Sequence, residues 1–204
     1  MALGIFSGCR REPDYLSYIS EKRENVYLYA DDTAEIKIYC SQKEQPYAAD
    51  GYRGEMNPLI EIFVTLPKNP EELEVKVGNL GGEMNYQAVE NRYYLSFTAE
   101  GYTSSSVEVN LTADGESKVY SALSVKYPAV MSCDDAVRCV IEHDGEYFKR
   151  LTENGLFNAE IFVRLLYEEQ CYYYVGICDK AGNIQAYLID GEHGKVIAVK
   201  SLST

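Results

Sequence analysis

Between Val26 and about Val125 the apolar positions recur with a period of two. The segments Val26–Tyr29, Ala34–Cys40, Leu59–Leu66, Leu73–Val77, Tyr93–Phe97, Val107–Leu111 and Val119–Leu123 alternate apolar with polar side chains. Neighbouring side chains of a strand point to opposite faces, so this alternation predicts strands with one face buried and one in water. Asp31-Asp32, Asp50-Gly51, Pro67 to Pro70, Gly81-Gly82, Glu100-Gly101 and Asp114-Gly115 punctuate them with residues that favour turns. About seven short strands over roughly 100 residues predict an antiparallel immunoglobulin-like β-sandwich. The Cys–Trp–Cys pattern of antibody domains is excluded, because the chain has no Trp.

The period changes after Tyr127-Pro128. Ser132-Cys133-Asp134-Asp135 has the form of a capping box, and its two acidic residues suit a first helical turn. Ala136, Val137, Val140 and Ile141 then fall on one helical stripe, which Asp144-Gly145 stops. Glu146 to Glu153 can add another turn or two. A meander of four strands follows: Ala159–Tyr167, Cys171–Cys178, Ile184–Ile189 and Lys195–Val199. Ala159–Tyr167 also carries good helix formers. Strand is preferred there because a second helix would leave the Tyr-rich strand after it without a neighbour. The expected class is therefore mainly β, with the sandwich over 25–127 and an α+β domain, one helix on a four-stranded antiparallel sheet, over 128–204. Residues 10–24 read as a tether or a short helix, and residues 1–9 as the remnant of an export leader.

Composition narrows the function classes. Hydrophobic residues make up 46% of the 204, enough for a real core. A net charge of −13 argues against nucleic acid, which demands clustered Lys and Arg. No stretch approaches the roughly 18 apolar residues of a membrane span. There are 19 Tyr. Tyr joins a flat apolar face to a polar tip, so Tyr93-Tyr94 and Tyr172-Tyr173-Tyr174 are candidates for glycan or protein contacts, against the plainer reading that they fill half-buried strands. The six Cys include no Cys-x-x-Cys, and Cys171 and Cys178, seven apart, point to opposite faces of one strand. Buried free thiols are the expectation. His143 and His193 are the two histidines, with no Gly-x-Ser-x-Gly, phosphate loop or metal-binding spacing beside them. The expected protein is not an enzyme and needs no cofactor or metal.

Several segments resemble known families. Phe6-Ser7-Gly8-Cys9 resembles a lipobox, the site where bacterial lipoproteins are cut and lipidated on the cysteine. The segment before it lacks the basic start and the apolar region of roughly 7–15 residues that a full leader needs. Glu100-Gly101-Tyr102 resembles a stretch of bacterial adhesin-type sandwich modules. In the tail, Tyr173 and Val175, Asp179 with Gly182, Tyr187 with Ile189-Asp190, and Gly194 with Val196 follow the order of the PepSY family, whose helix start Asp134-Asp135-Ala136 also matches. The segment 144–158 departs from that family. The resemblance implies a cystatin-like helix on an antiparallel sheet, and a role in restraining peptidases or in contacts at the cell envelope. Together these readings predict an extracytoplasmic lipoprotein anchored to the membrane through Cys9 alone, which binds an envelope protein or peptide. A glycan-binding module that uses exposed Tyr, and a cytosolic regulatory protein, are the alternatives.

Overall fold

The computed structural model of the chain describes residues 12–202, so the Phe6–Cys9 motif and the expected lipidation site Cys9 lie outside the described residues. A single turn of 3-10 helix at Tyr15–Tyr18 leads into β1 (Ile19–Ala30), β2 (Glu35–Glu44) and β3 (Met56–Thr65). Then come β4 (Leu73–Val77), β5 (Leu80–Glu83), β6 (Asn85–Gln87), β7 (Arg92–Phe97), β8 (Ser106–Ala113) and β9 (Glu116–Ser124). Two helices follow, α1 (Cys133–His143) and α2 (Gly145–Arg150), and a two-stranded ribbon, β10 (Thr152–Glu153) with β11 (Leu156–Phe157). The chain ends in β12 (Ala159–Glu168), β13 (Gln170–Asp179), β14 (Ile184–Asp190) and β15 (Val196–Leu202). Strands hold 54% of the chain and helices 11%, so the fold is mainly β.

Thirteen strands form one sheet, with the path β15-β14-β13-β12-β1-β2-β3-β7-β6 and a branch through β9, β8, β4 and β5. Within that sheet every pairing is antiparallel except β1 with β12. The first half of β1 pairs with Ile161–Arg164 of β12, while Tyr27 and Leu28 pair with Ser124 and Leu123 of β9. Between the halves the β1–β2 register slips at Arg23/Asn25. Such a bulge bends the strand and increases its twist. Buried Asn25 stabilises it: its Oδ1 accepts from the Val26 amide at 2.9 Å and from Ser124 Oγ at 2.9 Å.

Two cores result. Between the two layers of the branched sheet lie Tyr27, Ile36, Ile38, Ile60, Ile62, Val64, Leu73, Val75, Val77, Val109 and Ala122. These are inward members of the alternating segments. The second core places Ala136, Val137 and Val140 of α1 and Phe148 of α2 against Ile161, Val163, Leu165, Tyr173, Val175, Ile177, Tyr187 and Ile189. Ser132 caps α1: its hydroxyl accepts from the Asp135 amide at 3.1 Å and donates to the Asp135 carboxylate at 2.7 Å.

The segment 10–24 reads as a tether or a short helix; its described part, residues 12–24, holds the turn at Tyr15–Tyr18 and the start of β1. Tyr15 and Ile19 are buried in the second core, and Tyr15 packs edge-on against Phe148 and Phe157 at 4.9 and 5.2 Å. The boundary placed at residue 25 therefore falls inside β1. The short-helix alternative meets the single turn at Tyr15–Tyr18. Strand was the right choice for Ala159–Tyr167. The short strands β5 and β6 were not anticipated.

Candidate functional site

Strand alternation normally leaves the outer face of a sheet polar. Here it does not. Register places Phe63 opposite Tyr94 and Tyr39 opposite Glu61 on the face away from the first core. The Tyr39 and Phe63 rings lie 5.1 Å apart, and those of Phe63 and Tyr94 5.2 Å apart. The guanidinium of Arg23 stands 3.9 Å above the Tyr39 ring, and that of Arg92 4.3 Å above Phe63. The layer continues across β1 and β12. Arg164 sits 5.0 Å from the Phe162 ring, which stacks at 6.0 Å on Tyr174. A row of rings interleaved with Arg thus runs over one face from β7 to β13. Cation–ring contacts of this kind are worth about 0.5–2 kcal/mol each, depending on burial.

Glu21 anchors the middle of the row. Both its oxygens are taken by Arg164, whose Nε and Nη2 donate at 2.9 and 2.6 Å. Nη2 also donates to the Tyr47 hydroxyl at 3.1 Å, and Lys43 lies 4.4 Å from the Tyr47 ring. Burial raises the Glu21 carboxyl, but the Arg164 hydrogen bonds and the charges of Arg164, Lys43 and Arg23 outweigh it, so its pKa falls below the ordinary value. Arg23 has no such partner. Among the described residues no acceptor meets its guanidinium, and its Nε is buried without a hydrogen bond.

Two clefts open onto this face. One of about 270 Å³ lies between Lys43, Tyr47, Pro58, Glu61 and Tyr94. The other, about 170 Å³, lies where β1 bends away from β12, between Arg23, Val26, Leu28, Tyr39, Leu165 and Leu166.

The loop joining β2 to β3 closes one end of the row. Gly51, at φ +82°, comes so close to β13 that a Cβ there would fall 2.6 Å from the Lys180 amide nitrogen. The Gly51 amide donates to Glu160 at 3.2 Å, the Gly54 amide donates to Glu44, and the Cys178 thiol donates to the Ala49 carbonyl at 3.4 Å. Glu44 and Glu160 are both buried, and each keeps one carboxyl oxygen unpartnered among the described residues. Burial pushes the Glu160 carboxyl up to about 7; the Gly51 amide opposes this and the Glu44 charge adds to it. One proton held between the two acids would satisfy both spare oxygens.

The five tyrosines singled out from the sequence divide by phase. Tyr93 and Tyr173 point inward and are buried, their hydroxyls donating to the Pro70 and Met131 carbonyls at 2.9 and 2.6 Å. Tyr94, Tyr172 and Tyr174 lie on the outer face, half-buried. The residues carrying the family resemblances have structural duties. Asp179 Oδ1 accepts from the Ala181 and Asn183 amides at 2.8 and 2.9 Å, and Gly182 has φ +82°. Asp190 Oδ1 accepts from the Glu192 and His193 amides at 2.9 Å each. Gly101 lets the chain approach Cys40, where a Cβ would fall 2.7 Å from the Cys40 Cβ.

Arg23, Phe63, Arg92 and Arg164 were missed. The available signal was an apolar residue on the wrong phase, as with Leu59 and Phe63 in β3. Reactive groups are poorly placed. Cys40, Cys133, Cys139, Cys171 and Cys178 are free, and burial pushes the Cys133 thiol up to about 12 and the Cys40 and Cys178 thiols up to about 11. Protonated thiols are weak nucleophiles. His193 meets Asp190 at 3.1 Å, and His143 meets the Tyr187 ring edge. Among the described residues, no three His, Cys, Asp or Glu side chains gather as metal ligands, and no helix is long and apolar enough to cross a membrane. Comparison with protein-family models, with curated proteins and with solved structures gives no match.

Proposed function

We propose that this chain is a non-catalytic binding module of the bacterial cell envelope, tethered through lipid on Cys9, and that the Arg–aromatic face is its contact surface for an envelope protein or peptide. The observation that carries the reading is the half-buried row of rings and guanidinium groups across β7, β3, β2, β1, β12 and β13. Interfaces concentrate aromatic residues and Arg, and depend on a few such anchors. On this reading the first lobe is an immunoglobulin-like support and the second a PepSY-like unit that restrains a peptidase or a similar partner. A protein ranks ahead of a glycan because Arg23 and Arg92 already occupy ring faces of Tyr39 and Phe63 that a sugar would stack upon.

A photo-crosslinking residue placed at Tyr94 or Tyr172 in cells should give one discrete adduct, and the same residue at exposed Val119, off this face, should give none. Arg92→Glu should remove the adduct. Equal labelling from all three positions would overturn the reading. Detergent partitioning of the full-length protein tests the tether separately, since Cys9→Ser should move it to the aqueous phase.

A further inference from the structure

The bend of β1 leaves a cleft whose chemistry is specific. β1 pairs with β12 as far as Arg23 and Arg164, then turns towards β9 at the bulge. β12 continues in its own direction through Leu165 and Leu166. The gap between them is walled by Val26, Leu28, Leu165, Leu166 and the Tyr39 ring, and the Arg23 guanidinium lies against that ring. Val26 and Leu165 are buried.

Arg23 is the unusual element. A guanidinium taken out of water normally regains its hydrogen bonds from a carboxylate or carbonyl. Glu21 is adjacent, but both its oxygens are committed to Arg164. Glu61 and Arg164 reach Arg23 by charge, and the charged groups lining the cleft besides Arg23 are Lys37, paired with Glu35 at 2.6 Å, and Glu168 at the rim. Neither Glu35 nor Glu168 bonds Arg23. The result is a half-buried cation with free donors at one end of an apolar slot.

We propose that this cleft binds a carboxylate carried on a short apolar stem, with the carboxylate on the Arg23 fork and the stem between Leu28 and Leu166. Arg forms bidentate, charge-assisted hydrogen bonds to a carboxylate, which would satisfy the unpartnered Nε. At about 30 Å³ per water, 170 Å³ holds roughly six waters, or the head of a small branched acid of that bulk. Two sources share this chemistry: the carboxyl terminus of an apolar peptide and a free fatty acid. The inference rests on the reading of the Arg–aromatic face as the contact surface and names one ligand group for it.

The test is NMR titration of the full chain, with Leu methyls and the Arg23 side-chain N–H as probes. N-acetyl-leucine stands for the peptide terminus and hexanoate for the fatty acid. At least one should shift Leu28, Leu166 and Arg23 with a Kd on the order of 0.1–1 mM. N-acetyl-leucine methyl ester and hexanamide should bind about tenfold or more weakly, as should Arg23→Gln with the acids. Lys76→Gln, at an exposed position of β4 away from the cleft, should bind as the parent does. Leu166→Trp, which fills the slot and leaves Arg23 in place, should abolish binding and keeps the test open if Arg23→Gln misfolds. Preference for one acid identifies the source. No shift with either acid, or equal shifts with their neutral analogues, would overturn the proposal. If acid binding fails while the Tyr94 crosslink persists, only the cleft falls; loss of both removes the contact surface too.

Discussion

At the scale of single residues, the outer face is held by close packing as much as by charge. The Phe162 ring lies directly on Gly176, its partner across β12 and β13, so that a Cβ on Gly176 would fall 2.1 Å from a Phe162 ring carbon. Phe162 is buried and flanked by Arg164 and Tyr174, which leaves its ring little room to yield. Gly176→Ala should therefore cost about 1–3 kcal/mol, the usual range for overpacking, and chemical denaturation of the two proteins measures it. The Glu160 carboxyl gives a second prediction. Its pKa is about 7 in the folded chain against an ordinary 4.5, so the folded state holds its proton where the unfolded chain has released it. Stability is then fully favoured below about pH 4.5, falls as pH rises towards 7, and levels off above. The groups that act on this carboxyl are the Gly51 amide, the Ser20 hydroxyl and the Glu44 carboxyl, none of which carries a positive charge. Glu160→Gln keeps an acceptor for the Gly51 amide and offers a donor to Glu44. It should flatten the fall and stabilise the protein above pH 7 by about 2 kcal/mol. Identical pH profiles for the two proteins would remove the shared proton from the account.

At the scale of elements, local chemistry decided what could be read in advance. The α1 cap is one case: the hydroxyl of Ser132 satisfies the Asp135 amide, so Ser132→Ala should cost about 1 kcal/mol, read as a lower midpoint in denaturant with an unchanged slope. Leu73–Val77 was legible to the residue, because one face of β4 is buried and the other wet. The start of β1 was not. Ile19 to Asn25 reads as a charged linker, yet Lys22 bonds Asp134 of α1 at 2.5 Å while Glu21 and Arg23 face the other way into the Arg–aromatic layer. When both faces of a strand have charged duties, alternation vanishes. The strands β5 and β6 exist through pairing with β4 and β7, and segments such as Leu80-Gly81-Gly82-Glu83 carry little propensity of their own. The site was opaque for a related reason. Arg23, Phe63, Arg92 and Arg164 meet only through strand register, which no spacing along the chain encodes.

At the scale of the molecule, β1 decides whether the two lobes are separable. A unit formed by residues 128–204 alone was the natural reading of the sequence, since the switch near Pro128 looks like a domain boundary. The second core, however, takes Tyr15, Ile19, Val26 and Val125 from the other side of that switch, and β12 takes β1 as its parallel neighbour. Without them β12 would expose an unpaired edge of backbone donors and acceptors, and Phe148 and Phe157 would lose the ring of Tyr15. Losing three or four buried side chains at about 1.5–3 kcal/mol each is comparable to the whole stability of a small domain. The fragment 128–204 should accordingly fail to fold, giving a collapsed amide spectrum. The full chain should unfold in one transition, with helix and strand signals falling together. A chain covering 12–44 supplied in trans, which carries β1 and its partner β2, should restore dispersion to the fragment by completing the sheet. A well-dispersed spectrum from 128–204 on its own would show that the lobes are independent, and the Arg–aromatic face that spans them would then lose its reason to act as one surface.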